Sequence, residues 1–279
     1  MIKDIDTFRQ LIPTVTGGTL DKYLQPIADA QEWLVSKIAG PKLMDEILRA
    51  GESDPPAELF TLARRVVAYK AYIDAIPKMD VLETANGFAV VNDEKLVPAS
   101  RERVNALIVS MSDSLMSALE ALIEYLEDTP QYAEAWKSSP SYSIISDSLL
   151  PSLRLFRRYG RFDGNYLDFI TSRPAMLAIQ MKFIEPKVSR ELLAEIISQI
   201  REDSLTDANR AILDDLRFAL AGFYNSDPEL GDASLCRVRE VLEQSPSDYP
   251  AFEGSRLYRL IREAESREKS DNRSIFVMI

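Results

Sequence analysis

Residues 154–162 carry the side chains of this sequence that are best suited to binding chemistry. The arginines Arg154, Arg157, Arg158 and Arg161 alternate there with the aromatic residues Phe156, Tyr159 and Phe162. Guanidinium groups bind phosphates and carboxylates through paired hydrogen bonds, and aromatic rings stack on bases or pack against a partner. Three interpretations stay open: a helix whose last turn carries cations and is closed by Gly160, a protein–protein interface, or a contact with nucleic acid.

Acidic residues at helical spacing could support a second kind of chemistry. Glu120, Glu124 and Glu127 would lie on one side of a helix, and three converging carboxylates can hold Mg²⁺ for metal-assisted hydrolysis. No D-x-D or E-x-x-H pattern accompanies them, so a solvated helix face is the simpler interpretation. We therefore predict no catalytic residue, no metal ligand and no cofactor.

The composition excludes several classes of enzyme. Among the 279 residues there is no histidine and a single cysteine, Cys236. Ser-His-Asp and Cys-His catalysis, histidine-ligated zinc and an intrachain disulfide are therefore ruled out. The net charge of −11 repels nucleic acid and anionic lipid unless basic residues are concentrated locally. Such a surface also suits the wall of a passage through which DNA slides without binding.

The sequence carries no pattern typical of a membrane segment or a secretion signal. No apolar run approaches the roughly 18 residues that a transmembrane helix requires. The first residues, Met1-Ile2-Lys3-Asp4, do not combine a charged start with an apolar stretch. We expect a cytoplasmic protein without a membrane partner.

The chain repeats itself at a distance of roughly 150 positions. When residues 27–47 are aligned with residues 177–197, apolar, acidic and small residues fall at matching positions. Further along, Ala99-Ser100-x-x-Arg103-Val104 recurs as Ala233-Ser234-x-x-Arg237-Val238. Because the order of the matches is kept throughout, we predict an internal duplication that produces two related helical bundles.

The hydrophobic period that positions these residues is helical. A stripe at i, i+3 and i+4 over residues 20–38 ends at Gly40-Pro41, and a long helix from an N-cap at Ser100 to about Glu127 follows. Between them, residues 81–91 contain Asn86-Gly87 between apolar runs, which is typical of a tight hairpin turn. The predicted fold class is all-α, with two related helical bundles and a small β-hairpin in the first half.

The predicted domains follow from these elements. We expect a first helical domain over residues 1–140 with the hairpin near 81–91, a linker over 141–165 and a second helical domain over 166–258. Residues 259–279 form a charged tail that ends in the apolar, strand-like segment 275–279, and such an ending normally needs a partner. Phe88 in the hairpin and Phe276 in the tail therefore join the arginine segment as candidate interface residues.

Ordered motifs along most of the chain resemble an uncharacterised family found largely in prophage-bearing gut bacteria and their viruses. They include Phe8-x-x-Leu11-Ile12-Pro13, Ile38-Ala39-Gly40, Gly87-Phe88, Pro98-Ala99-Ser100, Tyr132-x-x-x-Trp136, Ser172-Arg173-x-x-Met176-x-x-Ile179 and Ser274-Ile275-Phe276-Val277. The chain departs from the pattern at Arg190, where the second copy would carry the glycine that matches Gly40.

Each half also resembles the small helical adaptors that complete phage head–tail connectors as rings around the DNA exit channel. This resemblance implies a non-enzymatic structural protein of a phage or prophage that acts through oligomeric interfaces. Its expected partners are further copies of itself and other phage structural proteins, with DNA nearby but not bound sequence-specifically, and its location would then be the virion. Two alternatives stay open: a cytoplasmic helical protein–protein adaptor, and an enzyme that uses carboxylates with Mg²⁺.

Overall fold

The computed structural model of the chain describes the backbone of residues 1–79, 81–84, 87–90 and 99–276, and the side chains of residues 1–79 and 99–267. The chain divides into two compact units, Met1–Ser143 and Ile144–Ile279. The division falls inside a short helix, and the segment that we expected to link the halves lies largely in the second unit.

The first unit is built around one central helix. Its helices are α1 (Ile5–Leu11), α2 (Asp21–Trp33), α3 (Gly40–Ala50), α4 (Glu58–Met79), α5 (Arg101–Asp128), α6 (Ala133–Lys137) and α7 (Pro140–Ile145), the last of which crosses the division. A π-helical turn, Leu34–Ala39, joins α2 to α3. Helices α2 and α5 both pack along α4, whose buried residues include Leu59, Val66 and Val67.

Helix α5 begins and ends where the sequence predicts. The hydroxyl of Ser100 accepts a hydrogen bond from the Arg103 amide at 3.4 Å, which satisfies one of the free amides of the first turn. The helix ends at Asp128, where Thr129 takes an extended conformation before Pro130. The predicted long helix is confirmed.

The second unit has the same kind of architecture. Its helices are α8 (Leu153–Gly160), α9 (Tyr166–Ile179), α10 (Glu185–Val188), α11 (Arg190–Glu202), α12 (Asp207–Tyr224), α13 (Pro228–Gln244), α14 (Pro250–Glu253) and α15 (Arg256–Phe276). A π-helical turn, Gln180–Ile184, joins α9 to α10. Helix α12 is central and packs closely on α13. The closeness is evident at Gly222, where an added Cβ would lie only 2.8 Å from the Gly231 backbone nitrogen.

One part of the predicted fold class is corrected. We expected a β-hairpin as a component of the first half, but 80% of the chain is helical and the architecture has no β-layer. Between α4 and α5 the short backbone stretches Val81–Thr84 and Gly87–Val90 lie antiparallel and pair with no other strand in the described part of the chain. Such a small pairing is not a structural unit of its own, and residues 85, 86 and 91 lie outside the described residues. The fold is all-α.

The two units share an order of elements and of buried positions. In each unit a helix continues into a π-helical turn, the chain turns at a residue with positive φ, and a helix and a longer helix follow. The buried counterparts, each 150 positions apart, are Tyr23 and Arg173, Pro26 and Met176, Ala30 and Gln180, Leu34 and Ile184, and Ile38 and Val188. This agreement supports the hypothesis of an internal duplication.

The turn itself explains the departure at Arg190. Gly40 has φ 70° and ψ 173° in the first unit, and in the second unit the residue with this conformation is Ser189, with φ 78° and ψ 153°. The second unit is therefore one residue shorter before its turn. The counterpart of Gly40 is Ser189 and not Arg190.

Candidate functional site

The arginine segment forms helix α8 and the loop after it. The hydroxyl of Ser152 caps the helix by accepting a hydrogen bond from the Leu155 amide at 3.2 Å. Arg154, Arg158 and Arg161 are exposed. Arg157 is half-buried, and its guanidinium donates to the Gly164 carbonyl at 3.0 Å. The helix therefore presents several cations on one stretch of the surface of the second unit.

Two of the three aromatic residues of this segment, Phe156 and Tyr159, belong to the core. Phe156 is fully buried, and its ring stacks on Phe162 at 4.5 Å and meets Tyr224 edge-on at 4.9 Å. Tyr159 is also buried and meets Phe218 edge-on at 5.0 Å. Because these rings are covered by their own unit, the exposed part of the predicted interface is formed by arginines.

Helix α8 ends differently from the prediction. The residue in the left-handed conformation is Arg161, with φ 49°, whereas we expected Gly160 in that role. Gly160 is helical, and a Cβ at this position would lie 2.9 Å from the Phe156 ring. Packing against Phe156, and not backbone conformation, therefore explains this glycine.

Tyr159 connects the arginine segment to α12. Its hydroxyl donates to the Asp214 carboxylate at 2.5 Å, and the guanidinium of Arg217 lies over its ring at 5.5 Å. Burial raises the pKa of Tyr159, and the hydrogen bond to Asp214 raises it further. The phenol is therefore a structural donor and stays neutral at physiological pH.

A buried cation is the site feature that the sequence did not reveal. Arg173 of α9 is only 2% exposed, and its guanidinium donates to the carbonyls of Leu150 at 3.0 Å and Ile145 at 2.7 Å. Its Nε atom has no hydrogen-bond partner. Desolvation lowers the pKa of Arg173 to about 10. Burial of the charged guanidinium is therefore unfavourable in itself, and its hydrogen bonds to the two carbonyls offset that cost.

Other side chains hold the same segment, residues 145–150. The Gln180 side chain accepts from the Leu149 amide at 2.9 Å, and Arg217 donates to the Leu149 carbonyl at 3.0 Å. Arg201 forms an ion pair with Asp147. These bonds go mainly to the backbone, so they fix the path of the segment and offer little to a ligand. Only the position of Arg173 in an otherwise apolar stripe could have indicated this role.

The remaining candidate residues are the two phenylalanines of the predicted interface and the acidic set of α5. The side chains of Phe88 and Phe276 lie outside the described residues. Glu124 of the acidic set is exposed and Glu120 and Glu127 are half-buried. Across the described residues, no three His, Cys, Asp or Glu side chains are grouped so that they could hold a metal ion.

An open groove runs between α4 and α5 in the first unit. It has a volume of about 680 Å³. The described residues that line it are Arg65, Tyr69, Ala106, Val109, Ser110, Asp113, Ser114, Ser117 and Ala118. Small side chains dominate the α5 wall, and Val109 is 61% exposed. The groove is therefore an open concave surface between two helices of the first unit.

Helix α5 is also long and apolar enough to cross a membrane by length and composition, although we expected no such helix. Its most apolar window has a mean hydropathy of 1.5 and is 28% buried. One helix of this kind is weak evidence for a membrane span, because the core helices of soluble proteins meet the same criteria of length and hydropathy. The second half of α5 packs in the core through Leu115, Leu119 and Leu122, so the chain is compatible with a soluble helical protein.

The comparisons with known proteins give one similarity. Residues 13–145 match the model of a family of unknown function, DUF6712. The matched stretch begins before α2 and ends with α7, so it covers most of the first unit and just under half of the chain. No curated protein and no solved structure matches the chain significantly.

Proposed function

We propose that the protein is a non-enzymatic structural protein of a phage or prophage, an adaptor similar to those of head–tail connectors, which acts through interfaces between copies. The observation that carries this proposal is the arrangement repeated in both units. In each, a helix ends in a turn at Gly40 or Ser189 with positive φ, and a short helix and a long central helix follow. The proposal takes this repeated pattern as the one expected of a connector adaptor.

The surface chemistry supports assembly better than catalysis. Large apolar side chains are exposed at several places in the described residues, including Val109 at 61%, Leu167 at 57% and Met181 at 68%. Such side chains become covered when copies of the chain assemble, which removes apolar surface from water. The described residues with shifted pKa values are mostly tyrosines that burial keeps neutral, and these do not form an acid–base pair.

The charge distribution fits a protein that lies near DNA without binding it. After Arg103, helix α5 carries five acidic and no basic residues, and the whole chain has a net charge of −11. The exposed arginines of α8 are the local exception. We propose that they contact acidic surface on a neighbouring protein, because carboxylates are the partners that guanidinium groups bind in pairs.

Electron microscopy of the full-length chain at high concentration tests this function. We expect rings or stacked oligomers in negative stain. The double variant Arg158→Glu with Arg161→Glu should assemble less well, whereas Arg190→Glu, a change at another exposed arginine of the second unit, should assemble normally. A chain that stays monomeric and also binds no portal or tail protein would overturn the proposal. Capture of host proteins instead would favour a cytoplasmic adaptor.

A further inference from the structure

The α4–α5 groove has walls that suit a helix. On the α5 side, Ala106, Ser110, Ser114 and Ser117 recur at intervals of three or four residues, so they share one face. The Ser114 hydroxyl donates to the Ser110 carbonyl at 3.0 Å, and the Ser117 hydroxyl donates to the Asp113 carbonyl at 3.0 Å. Because these hydroxyls are already satisfied, a helix can cover them at little cost in desolvation.

The C-terminal helix α15 has the surface of a helix that needs a partner. Its start is anchored where Tyr258 meets Phe252 edge-on at 5.4 Å. Beyond that contact Leu260 is 51% exposed, Ile261 is half-buried and Ala264 is exposed. The helix has 21 residues, or about 31 Å, and helices in proteins gain most of their stability by packing an apolar face against a neighbour.

Helix α5 and the described part of α15 differ in the sign of their charge. Helix α5 carries five acidic and no basic residues after Arg103, and residues 256–267 of α15 carry four arginines and two glutamates. The lining of the groove contains one carboxylate, the exposed Asp113 on α5, and one guanidinium, Arg65 on α4. The apolar side chains of α15 are bordered by Arg259 and Arg262, so one orientation places apolar groups on the small-residue wall and arginines near Asp113.

We infer that α15 of one copy of this chain lies in the α4–α5 groove of another copy. In this interface Leu260, Ile261 and Ala264 cover the small side chains of α5, and Arg259 and Arg262 lie on the side of Asp113. The same contact made repeatedly from copy to copy would generate a ring or a filament. This inference rests on the proposed function, since it identifies one interface, besides the arginines of α8, through which the copies assemble.

Cysteine cross-linking between two differently labelled chains tests the contact. Cys236 is the only native cysteine, so Cys236→Ser gives a cysteine-free background. In that background a chain with Ser110→Cys is mixed with a chain with Ala264→Cys under mild oxidation. We expect a covalent dimer of unlike chains. Ser36→Cys, a change at an exposed position of the first unit away from the groove, should give no such product with Ala264→Cys.

Several outcomes would overturn the inference. Equal cross-linking of the Ser36→Cys control would show that the contact is not specific, and no cross-link in a chain that does form oligomers would show that another surface joins the copies. A chain that carries both Ser110→Cys and Ala264→Cys and closes on itself as a monomer would place α15 in its own groove. A chain that is monomeric throughout would also overturn the inference. The proposed function would be refuted with it only if that chain bound no portal or tail protein, so the two failures are distinguishable.

A surface substitution gives an independent readout. Leu260→Asp should weaken self-association at least about tenfold, because it removes a leucine from the interface and places a carboxylate opposite an acidic helix. Leu24→Asp is the matched control, since Leu24 is exposed to the same extent, 52% against 51%, and lies outside both surfaces. Equal association constants for the two variants would contradict the inference.

Discussion

Ser189 occupies a backbone conformation that glycine adopts far more readily, and replacing it should stabilise the second unit. With φ 78° and ψ 153°, it lies in a region that is almost restricted to glycine and costs other residues about 1–3 kcal/mol. Its hydroxyl also caps α11 by accepting from the Leu192 amide at 3.2 Å. Ser189→Gly therefore relieves strain and removes a cap at the same time.

The strain is the larger of these contributions. Replacing an N-cap serine by glycine costs only a few tenths of a kcal/mol, and the greater freedom of glycine in the unfolded chain costs about 0.5–1 kcal/mol. The balance is a gain of roughly 1 kcal/mol for Ser189→Gly, or about 3 °C in Tm. Gly40→Ala should have the opposite effect, because it introduces the strain and places a Cβ 3.0 Å from Pro140 Cδ.

Thermal and denaturant unfolding, followed by circular dichroism, measure both changes. Ser189→Ala separates the two contributions, since it removes the cap but keeps the strained Cβ, and it should destabilise by about 1 kcal/mol. If Ser189→Gly destabilised the protein as much as Ser189→Ala, the assignment of strain at this turn would be refuted. The equivalence of Ser189 with Gly40 would then lose its physical basis.

Substitutions at Gly222, Arg173 and Tyr159 test the packing of the second unit, and Gly17→Ala in the first unit is a control. Gly222→Ala should destabilise by about 1–3 kcal/mol, since its Cβ would meet the backbone of Gly231, whereas Gly17→Ala, with nothing within 4 Å, should be nearly neutral in denaturant unfolding. Arg173→Ala should cost about 3–5 kcal/mol in the same assay, because it leaves a cavity and two buried carbonyls without donors. A loss below about 1 kcal/mol would contradict the role of Arg173 in holding residues 145–150. The pKa of Tyr159 is raised in the folded protein, so its contribution is present at neutral pH and lost as pH rises above about 10. A pH titration of stability should therefore fall less steeply in that range for Tyr159→Phe, and an unchanged slope would show that the phenol does not titrate with unfolding.

Helices could be predicted from the sequence where local chemistry decides them. The start of α5 follows from Ser100 and the helical period that comes after it, and the turn at Gly40 follows from glycine's access to positive φ. The exact turn in the second unit could not be predicted in this way. Ser189 has no intrinsic preference for its conformation, and the surrounding fold imposes it.

The candidate site was harder to predict because its roles depend on distant partners. The alternation of arginines and aromatics in α8 is the same whether the rings point outward or into the core, and only the packing of Phe156 on Tyr224 decides it. Arg173 binds carbonyls 23 and 28 positions earlier in the chain, and no local pattern encodes such a contact. The α4–α5 groove likewise depends on how two helices lie together.

The mass of the full-length chain in solution, measured by light scattering over a range of concentrations, tests the central claim most directly. We predict a defined assembly of several identical copies, because exposed apolar side chains such as Met181 and Val109 and oppositely charged helices are then covered by neighbours. A single copy at every concentration would contradict the account.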